Sequence, residues 1–125
     1  MEYEGKLGEK KIMKPQDVVI NIPSDETVEY ECIVSTMEGF SWYDYKAVFT
    51  NKGIWFKRPQ AYLIDHGTDA QRMLYELMSH TEDCKFMRRR GIRIYSNVNG
   101  KPSTKLYFDD NTEKVKEIIA SHINQ

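Results

Sequence analysis

Alternation of apolar and polar residues dominates the middle of this chain and predicts strands rather than helices. Val28, Tyr30, Cys32 and Val34 alternate with Glu29, Glu31, Ile33 and Ser35, which predicts a strand over Thr27–Met37. Asp17–Ile22 is a shorter β-branched run, stopped by Pro23-Ser24-Asp25. Ser41–Pro59 is the densest in aromatics: Trp42, Tyr43, Tyr45, Phe49, Trp55 and Phe56 flank a turn at Thr50-Asn51-Lys52-Gly53. The expected hairpin has its loop at Asn51-Lys52-Gly53, with Gly53 left-handed, and sets Thr50 opposite Ile54 and Val48 opposite Phe56. In that register Tyr45, Ala47, Phe49 and Trp55 share one face, and both faces are apolar. A strand half exposed to water alternates more cleanly. Both faces are therefore expected to be covered, one by the core and the other by a helix, a second subunit or a ligand.

Further along, Ala61–Ile64 reads as a short strand. Ala70, Met73, Leu74, Leu77 and Met78 follow the spacing of one helical face, and Thr68 with Gln71 fits a capping box, so a helix is expected there. Lys85–Ser96 reads as one strand with a bulge at Gly91. Asn97–Pro102 is a turn, and Lys105–Phe108 pairs back. Asp110 and Glu113 then cap a closing helix with Val115, Ile118, Ile119 and His122 or Ile123 on its apolar face. The fold class expected is α+β: a mostly antiparallel twisted sheet or partial barrel of about 6–7 strands, with one inserted helix and a C-terminal amphipathic helix. Residues 1–16 read as a flexible arm or an edge strand, and 17–125 as a single domain.

Composition supports one folded domain: 125 residues, 40% hydrophobic, 12% aromatic and 30% charged. A formal net charge of -1 removes any global drive toward nucleic acid or anionic membrane, though not a local basic patch. The charged start MEYEGKLGEKKIMK lacks a secretory apolar core, and no apolar run is long enough to span a membrane. A cytoplasmic location is expected, with Cys32 and Cys84 reduced.

Catalytic signatures are scarce. His66, His80 and His122 show no metal-ligand spacing, and there is no phosphate-loop or nucleophile-elbow motif. Asp65-His66 reads as a polar loop ahead of a cap rather than an acid-base pair. Cys84, beside Lys85 and three arginines, is a candidate for a lowered pKa. The basic run is more informative, with Lys85, Arg88, Arg89, Arg90 and Arg93 close together and Lys57 and Arg58 ending the hairpin. Guanidinium forks onto phosphate oxygens and aromatic planes stack on bases, so the two together suit a nucleotide. The bland alternative is a solvated face paired with Glu29, Glu31, Glu82 and Asp83.

KAVFTNKGIWFKR resembles the first hairpin of bacterial pleckstrin-homology-like domains, and GIRIYSNVNGKPSTKLYFDDNTEKVKEIIASHI resembles their final hairpin and closing helix. The resemblance implies a non-catalytic binding or oligomerisation module. It also implies uninterrupted sheet between Gln60 and Asp83, where this sequence reads as a helix.

The function expected is that of a non-enzymatic binder, homo-oligomeric, needing no cofactor or metal. Its ligand would be nucleotide-like or otherwise anionic, held by Trp42, Tyr43, Trp55, Arg58, Arg88, Arg89 and Arg90, as in a phage protein that sequesters a signalling nucleotide. The main rival is a protein-interaction or inhibitor module that captures a host protein. A small hydrolase and an RNA-binding protein rank lower.

Overall fold

The structure, a computed structural model, describes residues 14–59 and 70–123. Seven antiparallel strands form one sheet: β1 (Val28–Glu38), β2 (Ser41–Thr50), β3 (Gly53–Lys57), β4 (Gln71–Leu74), β5 (Met78–Phe86), β6 (Arg89–Ser96) and β7 (Thr104–Tyr107). Their order is β4-β3-β2-β1-β7-β6-β5. The outermost strands, β4 and β5, are joined by only a 3-10 turn at Tyr75–Leu77. So short a link between opposite ends of the order requires the sheet to curl on itself, which makes a half-barrel. Helix α1 (Thr112–Ile123) packs on the inner face. The α+β class is as expected.

The inner face is the core. Val34, Ala47, Phe49, Ile54, Ile92, Ile94 and Leu106 from the strands meet Val115 and Ile119 of α1. Tyr75 joins them, its ring stacked on His122 at 4.3 Å. Its hydroxyl is buried and, among the described residues, has no hydrogen-bond partner, and burial raises its pKa. Replacing an unpartnered buried hydroxyl by hydrogen removes a desolvation cost. Tyr75→Phe is therefore expected to leave stability unchanged or raise it by about 1 kcal/mol, as read by urea unfolding.

Three expectations are corrected. The helix expected from Ala70 to Met78 is strand β4, one 3-10 turn and the start of β5. The same apolar residues serve a strand because β3 offers an edge: Gly53 pairs with Leu74 and Phe56 with Gln71. A three-turn helix is marginal alone and would leave that edge bare. The Asp17–Ile22 run forms a 3-10 turn, Pro15–Asp17, and then an extended segment outside the sheet. The strand expected over Lys85–Ser96 is two strands meeting at Met87-Arg88, where Met87 has φ 55. No glycine or asparagine marks that turn, so the composition does not announce it. The expected strand Ala61–Ile64 and the cap at Thr68 lie outside the described residues, as do Asp65, His66 and most of the N-terminal arm.

The hairpin register also differs by one residue. Phe49 pairs with Ile54, Val48 with Trp55 and Ala47 with Phe56, and Gly53 is not left-handed. Phe49 and Trp55 thus lie on opposite faces. Phe49 is in the core, and Trp55 is on the outer face. That outer face is covered, as expected, but by the chain's own N-terminal segment. Val18 is buried there, and Lys46 and Lys57 donate to the carbonyls of Val18 and Val19 at 2.9 and 3.3 Å.

Candidate functional site

Register places a row of side chains across five strands on the outer face: Cys84, Gly91, Tyr107, Ser35 and Asp44. Gly91 is required in that row. A Cβ there would stand 2.2 Å from the Leu106 carbonyl oxygen and 2.9 Å from Tyr107 Cδ1. Its bare backbone lets the Tyr107 ring lie flat along the sheet, where it raises a floor for Trp42. The Trp42 ring meets Tyr107 edge-on at 5.1 Å and Phe86 at 5.9 Å. The Arg89 guanidinium lies 4.4 Å from the Trp42 ring centre and donates to Ser35 Oγ at 3.0 Å. Ser35 in turn donates to Asp44 Oδ1 at 2.6 Å. Trp42 and Arg89 line a hollow of about 570 Å³, whose rim also carries Asp44 and Asp110. Phe86 and Met87, 41% and 81% exposed, extend the apolar surface toward the β5–β6 turn.

Of the residues expected to bind together, the structure unites Trp42 with Arg89 and, separately, Tyr43 with Arg58 at 5.2 Å. Tyr43 neighbours Trp42 in sequence and so points to the opposite face. Trp55 stands under Arg72, at 5.1 Å, and donates from Nε1 to Glu26 at 3.0 Å. Arg90 faces α1 and pairs with Glu113 at 3.2 Å. Arg88 is exposed in the β5–β6 turn. The structure thus does not bring the seven residues together, because alternation and the Met87-Arg88 turn send the arginines in different directions. The carboxylates offered as solvated partners do other work: Glu31 pairs with Lys46, Asp83 with Lys116, Glu29 with His122, and Glu82 accepts from Tyr95.

Sequence reasoning missed Glu26 and Arg72. Glu26 is buried and accepts from Thr50 Oγ1 at 2.6 Å, from Trp55 and from Arg72. Burial pushes its carboxyl up, but those hydrogen bonds outweigh burial and hold it below the ordinary value of 4.5. The only available signal was its position just after the Pro23-Ser24-Asp25 turn. The lowered pKa considered for Cys84 is also corrected. Burial pushes its thiol up, and burial pushes Cys32 up to about 12, so neither is a thiolate at neutral pH. Among the described residues no group of His, Cys, Asp or Glu is placed to hold a metal ion. Among the described residues no helix is long and apolar enough to cross a membrane.

No family model matches this chain, and no curated protein matches it. Solved structures do share its fold. The C-terminal domain of an unknown protein from Leishmania infantum aligns with a TM-score of 0.62 at 12% identity, over 80% of this chain and 86% of that one. The hSac2 domain from human phosphoinositide phosphatase Sac2 aligns with a TM-score of 0.62 at 13% identity, over 98% of this chain and 82% of that one. At such identity the likeness is one of fold, a curled antiparallel sheet closed by a C-terminal helix.

Proposed function

We propose that this chain is a non-catalytic binding module of pleckstrin-homology-like architecture that captures a protein partner on the surface around Trp42. One observation carries the reading: Trp42 stands half-exposed on the outer face, gripped by Arg89, Tyr107 and Phe86. Tryptophan, tyrosine and arginine held rigid in one patch are the composition of an interface hot spot, because little side-chain entropy is left to lose on binding. The architecture is supported by strand and turn from Gln71 to Asp83, the part of the stretch between Gln60 and Asp83 that lies in strands and turn among the described residues, where the resemblance implied sheet. The raised thiol pKa values favour a binder over an enzyme with a cysteine nucleophile.

The charges favour a protein over a polyanion. Arg89 shares its hollow with Asp44 and Asp110, which repel phosphate and suit the mixed donors and acceptors of a polypeptide. The stack of Arg89 on Trp42 supports a second reading, a nucleotide-like ligand held by one base and one phosphate.

The test places a photo-crosslinking amino acid at position 87, exposed beside Trp42, in the chain in its own cells. The reading expects one discrete protein adduct, weakened when Arg89→Glu is added. An absence of protein adducts, with a nucleotide co-purifying instead, would support the second reading.

A further inference from the structure

β1 and β7 are hydrogen-bonded neighbours at one register pair only, Ser35 with Tyr107. Beyond it they part. β1 continues to Glu38 bonded to β2 alone, and β7 runs back to Thr104 bonded to β6 alone. Between them lies a wedge of about 640 Å³, with Thr36–Gly39 on one lip and Ser103–Leu106 on the other. Its floor is the uncapped part of the inner face, with Tyr45, Phe56 and Met73. Helix α1 packs against β5 and β6 and against the 3-10 turn at Tyr75–Leu77, and among the described residues nothing covers this end.

We infer that this wedge is a docking site for one extended segment of the protein partner, which adds as a strand between β1 and β7. The inference deepens the protein-partner reading and rests on it. Two facing strand edges argue for the occupant. Among the described residues neither lip has a strand partner across the wedge, so each presents main-chain donors and acceptors that a polypeptide matches and a hydrocarbon chain does not. The open edges span about 10 Å, enough for about three residues of strand. Alternate side chains of the segment would enter the apolar floor, and the intervening ones would face outward. Glu38 and Lys105, both exposed on the lips, provide one charge of each sign for its flanking residues. Tyr107 and Phe86 line both the wedge and the Trp42 surface, so the two adjoin.

The probe is a library of random peptides displayed on phage, panned against the full-length chain. Enriched sequences are expected to carry apolar residues at alternate positions. N-methylation of alternate amides of a selected peptide should weaken binding about ten-fold or more, and of the intervening amides less than about two-fold. Thr104→Trp, which fills the wedge, should abolish binding, and Met73→Ala, which leaves the lips intact, should weaken it. No enrichment, or equal sensitivity to N-methylation at every amide, would overturn the inference. So would displacement of the peptide by a fluorescent fatty acid, or a concentration-dependent dimer that Thr104→Trp disperses. Position-87 crosslinks that persist when no peptide binds overturn the wedge alone. Peptide binding that persists without such crosslinks upholds the wedge and overturns the Trp42 surface.

Discussion

Glu26→Ala is expected to lower folding stability by about 3 kcal/mol at neutral pH, because it removes the acceptor for a buried hydroxyl, an indole and a guanidinium at once. Arg72 can turn part of its charge to solvent, so the loss stays at the lower end for a broken buried pair. The carboxylate also makes stability depend on pH. Its folded pKa is depressed below 4.5, so its contribution is complete above the unfolded value and disappears as pH falls through the folded one. Glu26→Gln keeps the shape but not the charge. It should therefore be less stable than the parent at neutral pH and lose less on acidification below about pH 4. Urea titrations of the three proteins at both pH values read this directly. Equal acid sensitivity in parent and Glu26→Gln would show that other carboxylates set it.

Phe49→Ala is expected to cost about 4 kcal/mol, the penalty for emptying a fully buried aromatic site. Phe49 sits between Tyr30 and Phe108 at 6.0 and 6.4 Å, fully buried in the cluster that includes Val115 and Ile119 of α1, so the neighbours have little room to close the gap. Trp42→Ala removes a larger ring but should cost only about 1 to 2 kcal/mol, because the indole is half-exposed and loses mainly its ring contacts and the Arg89 stack. Thermal unfolding of the two variants separates core from surface among the hairpin aromatics. A cost for Trp42→Ala as large as that for Phe49→Ala would make Trp42 a structural residue and remove the reason to treat it as a binding anchor.

Much of this was readable from period alone. Strand β1, the hairpin β2–β3, the turn near Gly100 and helix α1 follow directly from alternation, turn residues and a capped 3.6-residue stripe. The requirement that the hairpin be covered on both faces was also legible, although its cover was not. Val18 and Val19 read as a strand because β-branched residues favour extended backbone, yet extended backbone can lie across a sheet as well as within one. Ala70–Met78 fits a helical stripe, and only the free edge of β3, a tertiary fact, decides against it. The site was half legible. Trp42 and Arg89 were recognisable by residue type, but their meeting depends on β7 bringing Tyr107 up against Trp42 and on Gly91 leaving room. The contacts of Trp55 were not legible, because Glu26, its partner, lies far away in sequence and carries no motif.

Whether the Trp42 surface receives a protein, as proposed, can be read by native mass spectrometry of the chain purified from its own cells. A complex of this chain with a second polypeptide is expected, lost in Trp42→Ala while the variant stays folded. The chain found alone with a small anionic ligand, or a complex that survives Trp42→Ala undiminished, would overturn the proposal.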